Sequence, residues 1–411
     1  MSTRRQFMTR VLGATAAMAA GSAFSSSRVL GASDRVRFAL IGAGGRGLED
    51  LQAALKAPNV EAVAVADLYT RRLDQAKAIA PQANTYKDFR YILDDKSIDA
   101  VLIATPQHQH ALQFVPAIQA GKDVYQEKTM AFNPDHARRM RQAFEGSHRV
   151  VQIGSQTTSG PAVAAVREYL KDGQMGTVTQ LHSHHYRNAP YGGWKRPIPA
   201  DCDLQHVDWN TFQGDAAPHD FDPNRFMNWR FYWDYSGGNV FENMVHQVIF
   251  WYKILDLKIP RSVTMAAGNY LSPEMEVPDT YDVAMDHGTL LFTWNSMFGN
   301  RHYGEGHDIV LGTKGAVFRD QSDRVRYVSE SRKFERGTDD MATANAAPDI
   351  VGGSDATDLH LQNFFDCVRS RRQPNCPFEL GFRSAIACRM ALTAFREGRR
   401  VTWDAERGEI V

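Results

Sequence analysis

The run Gly42-Ala43-Gly44-Gly45-Arg46-Gly47, together with Asp67, is the part of this sequence whose residue types and spacing point most directly to chemistry. Gly42 permits a tight turn, Gly44 lets the backbone approach a pyrophosphate, and Gly47 lets a following helix lie close on a strand. The first amides of that helix, from Gly45 and Arg46 onward, then face the phosphates. About 20 residues later Asp67 offers a carboxylate to ribose hydroxyls. Its charge repels a 2′-phosphate and favours NAD. Arg71 and Arg72, one helical turn on, keep NADP open unless they form a solvated helix face. Two more polar clusters, Thr105-Pro106-Gln107-His108-Gln109-His110 and Glu127-Lys128-Thr129, follow the apolar runs Ala100 to Ala104 and Val124 to Gln126. As strand ends of one sheet, both lie at its carboxyl edge, where doubly wound sheets bind ligands. Pro106 and Lys128 therefore fall beside the nicotinamide half of a dinucleotide, and Lys128 becomes a candidate for chemistry.

The elements that must position these residues are legible around them. Val36 to Ile41 alternates into a short strand, and Leu48, Leu51 and Leu55 give the following segment a helical stripe. Val60 to Ala66 is the next strand and ends in Asp67. This strand, glycine turn, helix, strand, acid order predicts an N-terminal Rossmann domain, an α/β fold with a doubly wound parallel sheet. With 411 residues the chain is long enough for two domains. Its 43% hydrophobic and 23% charged residues exclude disorder and a membrane protein. Lys+Arg and Asp+Glu balance at 47 each, so no basic field is available for nucleic acid. Cys202, Cys367, Cys376 and Cys388 form no CxxC pair and no zinc spacing; they read as core thiols, with a disulfide from Cys376 open if the chain is exported.

The first thirty residues read as an address. Arg4-Arg5 precede an uncharged apolar stretch from Val11 to about Ala23, a twin-arginine pattern resembling a Tat signal. The stretch is shorter than the roughly 20 apolar residues of a spanning helix, so no stable membrane anchor is expected. Cleavage near Ala23 or Ala32 would remove Arg4, Arg5, Arg10 and Arg28 and no acid, leaving a mildly acidic periplasmic or otherwise exported protein. Tat export machinery is then a partner. A Tat substrate crosses folded, which suits a protein that loads its dinucleotide in the cytoplasm and holds it tightly.

The glycine turn, Asp67, Thr105-Pro106 with His110, and Glu127-Lys128 together resemble the Gfo/Idh/MocA oxidoreductases, the family of glucose–fructose oxidoreductase and inositol dehydrogenase. Gly237-Gly238 with Glu242 and His246, the segment His360 to Pro374 and a closing helix Ser384 to Arg396 extend the likeness over nearly the whole mature chain. With the signal peptide taken as 1–32, the resemblance implies a Rossmann domain at 33–155 and a C-terminal α/β domain at 156–411 with a large open, mainly antiparallel sheet used for homo-oligomer contacts. It implies cofactor contacts from Gly42, Gly44, Gly45, Arg46, Gly47, Asp67, Thr105, Pro106, His110, Glu127 and Lys128. It also implies a reacting centre of Lys128, Glu242 and His246, with His246 as base and Lys128 as electrostatic partner. Spacing of four sets Glu242 and His246 on one helical face. Oxidising a secondary alcohol needs such a base and a cation near the oxygen whose charge grows. Three positions depart from the family pattern: Thr129 replaces a proline, Glu242 an aspartate, and Ile249 a carboxylate.

Leu181 to Trp233 is rich in histidine, tyrosine and tryptophan, a mixture suited both to a sugar cleft and to core packing. Tyr186 and Arg187 are the substrate candidates there. His182 and His184 share a strand face, but no third ligand is near in sequence and no metal is expected. His360 opens an amphipathic helix with Leu361, Phe364, Phe365 and Val368, as a cap residue or a pocket lining. Asp320 to Asp355 reads as an irregular surface excursion. The functional expectation is hydride transfer between a tightly bound nicotinamide dinucleotide and a carbohydrate or polyol. The alternatives are an NAD-dependent glycosidase working by transient C3 oxidation and elimination, and a non-catalytic sugar sensor.

Overall fold

The computed structural model describes residues 35–301, 307–320, 322–330 and 356–411; the expected export signal and the stretch 331–355 lie outside them. Strands β1 (Val36–Ile41), β2 (Val60–Ala66), β3 (Asn84–Tyr86), β4 (Ala100–Ile103), β5 (Asp123–Glu127) and β6 (Val151–Gly154) pair in the order β3-β2-β1-β4-β5-β6. Every pair is parallel, and this order is that of the dinucleotide-binding fold. Parallel strands covered on both faces read as unbroken apolar runs, as Ala100-Val101-Leu102-Ile103 does, all fully buried. Helices Gly45–Ala54, Thr70–Ile79, His110–Gln119 and Pro134–Phe144 supply the crossovers. The last starts sharply because Pro134 sits in its first turn and the Asn133 side chain accepts from the His136 amide at 2.8 Å.

One layer of this sheet comes from far along the chain. Helix Ala356–Ser370 buries Leu361, Phe364 and Phe365 completely, and Phe365 meets Phe38 of β1 with ring centroids 5.2 Å apart. Burial of each such ring contributes about 1.5–3 kcal/mol, so the chain returns from the second sheet to complete the first. His360 in this helix is neither cap nor pocket lining. It is fully buried, and its Nε2 lies 2.9 Å from the Ile153 carbonyl while Nδ1 meets Ser159 Oγ at 2.6 Å, fastening the helix to β6.

The second sheet has nine strands: β7 (Val178–Tyr186), β8 (Ser262–Gly268), β9 (Thr280–Asp286), β10 (Leu291–Met297), β11 (His307–Gly312), β12 (Gly315–Asp320), β13 (Val325–Ser329), β14 (Val401–Asp404) and β15 (Glu409–Ile410). They pair in the order β13-β12-β11-β7-β10-β9-β8-β14-β15, and only β7 with β10 is parallel. Period-two burial, with Tyr281, Val283 and Met285 inside and Asp282 exposed between them, turns one face to helix Phe378–Glu397. β13 corrects part of the expected excursion after Asp320. Val325 and Tyr327 alternate with charged residues and pair with β12, so the sheet edge captures what composition alone marks as loop.

Residues 187–236 link the two sheets with short helical turns around a third core. Tyr69, Trp194, Trp209, Phe212, Phe226, Trp229 and Tyr235 are buried there. Most tryptophans of this stretch therefore serve packing. The four described cysteines are all buried and free.

Candidate active site

The carboxyl ends of β1, β2, β4 and β5 open into a cleft of about 520 Å³. Its floor is the glycine turn. Gly42 has φ +94°, and a Cβ there would lie 2.6 Å from Thr105 Cγ2. A Cβ on Gly47 would lie 1.9 Å from the Gly42 carbonyl oxygen, so only glycine lets the helix sit this close to the strand. Gly44 and Gly45 face open space, with nothing within 4 Å of an added Cβ, and both line the cleft. The turn thus leaves the start of the ten-residue helix Gly45–Ala54 bare toward the cleft, as a pyrophosphate requires.

Asp67 lines the same cleft with its carboxylate almost buried. Its oxygens accept from the Ala43 amide at 2.7 Å and the Tyr69 amide at 2.9 Å, which fixes its aim at the end of β2. Burial pushes this carboxyl up, against Arg72 at 3.8 Å and the amides, which pull it down. Thr105, Pro106, Glu127 and Lys128 also line the cleft. Arg46 lines it too, but its guanidinium is turned onto Glu127 at 3.0 Å, Asp50 at 2.8 Å and Glu49 at 3.2 Å. Glu127 Oε2 accepts from the Lys128 amide at 3.0 Å, so this carboxylate braces the end of β5.

At the far end of the cleft the two sheets bring one ion cluster together. Lys128 Nζ lies 2.9 Å from Glu242 Oε2 and 3.2 Å from the Glu242 carbonyl oxygen. Glu242 Oε1 accepts from Gln107 Nε2 at 2.7 Å and pairs with Arg230 Nε at 3.2 Å. Burial alone would raise the Glu242 carboxyl, but Arg230 and Lys128 reverse this and hold it at about 2. Glu242 sits in a π-helical turn, Val240–Met244, that runs into helix Val245–Leu255. That wider turn changes the expected four-residue face: no hydrogen bond joins Glu242 to His246, and Glu242 reaches across to β5 instead. His246 is half-buried, makes no hydrogen bond among the described residues, and is kept well below the ordinary histidine range by burial, then by Lys128 and Arg46. Its neutral ring is free to accept a proton. Thr129, in the place of the family proline, is buried and donates its hydroxyl to the Phe241 carbonyl at 2.8 Å, tying the lysine loop to the π turn.

Five expected site residues lie outside the cleft lining: Gly47, His110, Tyr186, Arg187 and His246. His110 is fully buried outside the cleft lining, between the carbonyls of Thr129 at 2.7 Å and Thr105 at 2.9 Å, so it joins the two strand-end loops from beneath. Gly47 is likewise behind the turn. Tyr186 is absent from the cleft lining and stacks on His184, ring centroids 4.7 Å apart, because strand alternation sends it to the face opposite Ser183 and His185. Arg187 points toward the cluster: its Nη2 is 3.4 Å from Asn243 Oδ1, next to Glu242, and its Nε is 3.1 Å from His185. Among the described residues no group of three or more His, Cys, Asp or Glu is arranged to hold a metal. Gln107 and Arg230 escaped the sequence reading. Gln107 directly follows Pro106 at a strand end, which is a usable signal; Arg230 lies in an irregular segment and has none.

Two family models match the chain: one described as oxidoreductase family, NAD-binding Rossmann fold, over residues 36–155, and one as oxidoreductase family, C-terminal alpha/beta domain, over residues 207–403. Among curated relatives, a levoglucosan dehydrogenase of Pseudarthrobacter phenanthrenivorans is 26% identical over 166 residues, 40% of this chain and 35% of that protein. An inositol 2-dehydrogenase of Rubrobacter xylanophilus is 32% identical over 165 residues, 39% of this chain and 46% of that one. The chain thus spans less than half the length of these relatives. Among solved structures, levoglucosan dehydrogenase in complex with NADH superimposes with a TM-score of 0.70 at 17% identity, covering 90% of this chain and 99% of that one. The WlbA dehydrogenase of Bordetella pertussis, in complex with NADH and UDP-GlcNAcA, gives 0.66 at 20% identity over 90% and 99%. With the two family models matching in sequence order over most of its length, on a parallel sheet of dinucleotide-binding strand order, the chain belongs to the Gfo/Idh/MocA oxidoreductase family and carries its NAD-binding Rossmann fold.

Proposed function

We propose that this chain is an exported NAD-dependent oxidoreductase acting on a CH–OH group of a carbohydrate or polyol, with the dinucleotide held through turnover. The observation that carries the reading is the cluster at the end of the cleft, where Lys128 is locked by Glu242 beside a neutral, unbonded His246. Gly44, Gly45, Asp67, Thr105 and Pro106 would hold the dinucleotide, which when bound supplies the hydride acceptor. His246 takes the hydroxyl proton onto its free ring nitrogen. Lys128, kept in place by Glu242 and the Glu242 carbonyl, sets its ammonium beside the substrate oxygen as negative charge grows there. Arg230 and Gln107 keep Glu242 ionised and aimed at Lys128, so that it does not compete for the proton. Arg187, Asn243 and Trp229 are the polar and aromatic groups nearest this end for sugar hydroxyls and ring faces. The outward residues of β7 and β10, among them His182 and Leu291, form the face on which a second copy is proposed.

Export rests on Arg4-Arg5 and the apolar run behind them; no helix among the described residues is long and apolar enough to cross a membrane. One experiment tests location, cofactor and reaction together. The protein is recovered from the periplasm, denatured, and its released small molecules identified by mass spectrometry, while the intact protein is offered polyols and sugars with reduction followed at 340 nm. The expected result is stoichiometric NAD and reduction by at least one polyol or sugar. Absence of dinucleotide, or release of free sugar without net reduction, would overturn the reading.

A further inference from the structure

The adenosine half of the cleft is walled by a segment that the dinucleotide fold itself does not contain. Residues 196–208 run along the loop after β2: Tyr69 bridges Val207, the Thr70 amide donates to the His206 carbonyl at 3.2 Å, and the Asp208 amide to the Leu68 carbonyl at 2.9 Å. Arg196, Pro197 and Pro199 of this segment line the cleft opposite Asp67, Arg71 and Arg72. Asp201 of the same segment meets Tyr69 and Arg71. Both its oxygens take Arg71 Nε, at 2.9 and 3.0 Å, and Oδ1 also accepts the Tyr69 hydroxyl at 2.6 Å.

That placement matters because the end of β2 and the first turn of the next helix are where a Rossmann site meets the ribose 2′ position. A 2′-phosphate is welcomed there by an arginine with open donors. Arg72 is drawn inward, with its guanidinium 5.0 Å from the Phe226 ring centroid and 3.8 Å from Asp67. Arg71 is the arginine that would turn to a phosphate, and Asp201 holds its Nε, which fixes the direction of the guanidinium. Lys87, exposed, also lines the cleft.

We propose that Asp201 is a specificity-determining residue: it withholds Arg71 from the ribose 2′ position and so discriminates against NADP. The proposal rests on the cleft binding NAD. It separates two jobs at this end, with Asp67 addressing the ribose hydroxyls directly and Asp201 acting on the phosphate through Arg71. An exposed pair is worth little to stability, but a competing phosphate must displace it, and a tenfold change in affinity needs only about 1.4 kcal/mol.

The test uses the full chain, freed of bound nucleotide, with NAD and NADP affinities measured by calorimetry. For Asp201→Asn, which keeps the side-chain shape, the NADP Kd should fall by about tenfold while the NAD Kd moves by less than about threefold. Arg71→Met in the wild-type background should leave NADP affinity unchanged, since Arg71 is already occupied, and adding it to Asp201→Asn should abolish the gain. An unchanged NADP/NAD ratio in Asp201→Asn overturns the proposal, as does a loss of NADP affinity in Arg71→Met alone, which stands even if the aspartate variant folds poorly. A wild-type chain that binds neither dinucleotide fails the cofactor reading itself, whereas one that binds NAD with the ratio unmoved fails only this inference.

Discussion

The two ends of the cleft are built from the same materials and behave as different machines. At the adenosine end the Arg71–Asp201 pair has side chains 47% and 33% exposed. At the reacting end Lys128 and Glu242 are 13% and 7% exposed, and Glu242 has two further polar partners, Gln107 and Arg230. Water screens the first pair, so it sets preference at little structural cost. The second is cut off from water, so breaking one partner leaves a buried charge uncompensated. Burial, rather than the number of ion pairs, separates the pair proposed to tune affinity from the pair proposed to hold the reacting geometry.

The sharpest way to break this comparison is at the reacting end. Lys128→Met and His246→Ala should each slow turnover by about 10²–10⁴ with dinucleotide retained, because neither residue holds the pyrophosphate, and Lys128→Met should also lose stability because Glu242 is left with Arg230 as its one cation. Their combined effect should fall short of the product, since both act on one hydroxyl. With His246 neutral, kcat/KM for oxidation should show no break near its ordinary value of 6.5 and decline only at more acid pH. Steady-state kinetics with cofactor occupancy read by absorbance decides it; near-normal turnover in either variant would return the cluster to a structural role.

Next in size is a stability effect. Glu242 is held at about 2 against an ordinary 4.5, so its stabilisation is fully present above pH 4.5 and is lost as pH falls through 2. The shift corresponds to about 3 kcal/mol. Glu242→Gln should therefore be less stable than wild type by roughly that amount at pH 7, with the gap closing toward pH 2. Urea midpoints across this range measure it, and a gap that does not narrow in acid would contradict the assigned charge state.

The smallest effect is expected at the adenosine end. Asp67→Ala should weaken NAD by about tenfold and narrow its lead over NADP. Calorimetry with both dinucleotides checks this, and an unchanged ratio would leave selection to Asp201 alone.

Local sequence determined the strands, the turn and the acid. A glycine at φ +94°, another with a carbonyl 1.9 Å from where its Cβ would be, and apolar runs closing in Asp67 and Glu127-Lys128 are short-range facts, because turn sterics and strand burial act over a few residues. Tertiary structure decided everything that required two distant segments to meet. Gln107, Lys128, Arg230 and Glu242 come from four separate segments and converge only when the π turn at Val240–Met244 docks over the end of β5. The same holds for Asp201 on Arg71, 130 residues apart, and for helix Ala356–Ser370 on β1. Composition sent Tyr186 to the substrate list and the family resemblance sent His110 to the cofactor list, because residue type and motif do not report which neighbour a side chain will meet. Composition and spacing carry local geometry and burial; the charge state of Glu242, the free ring of His246 and the occupied state of Arg71 depend on dielectric and contacts that exist only in the assembled fold.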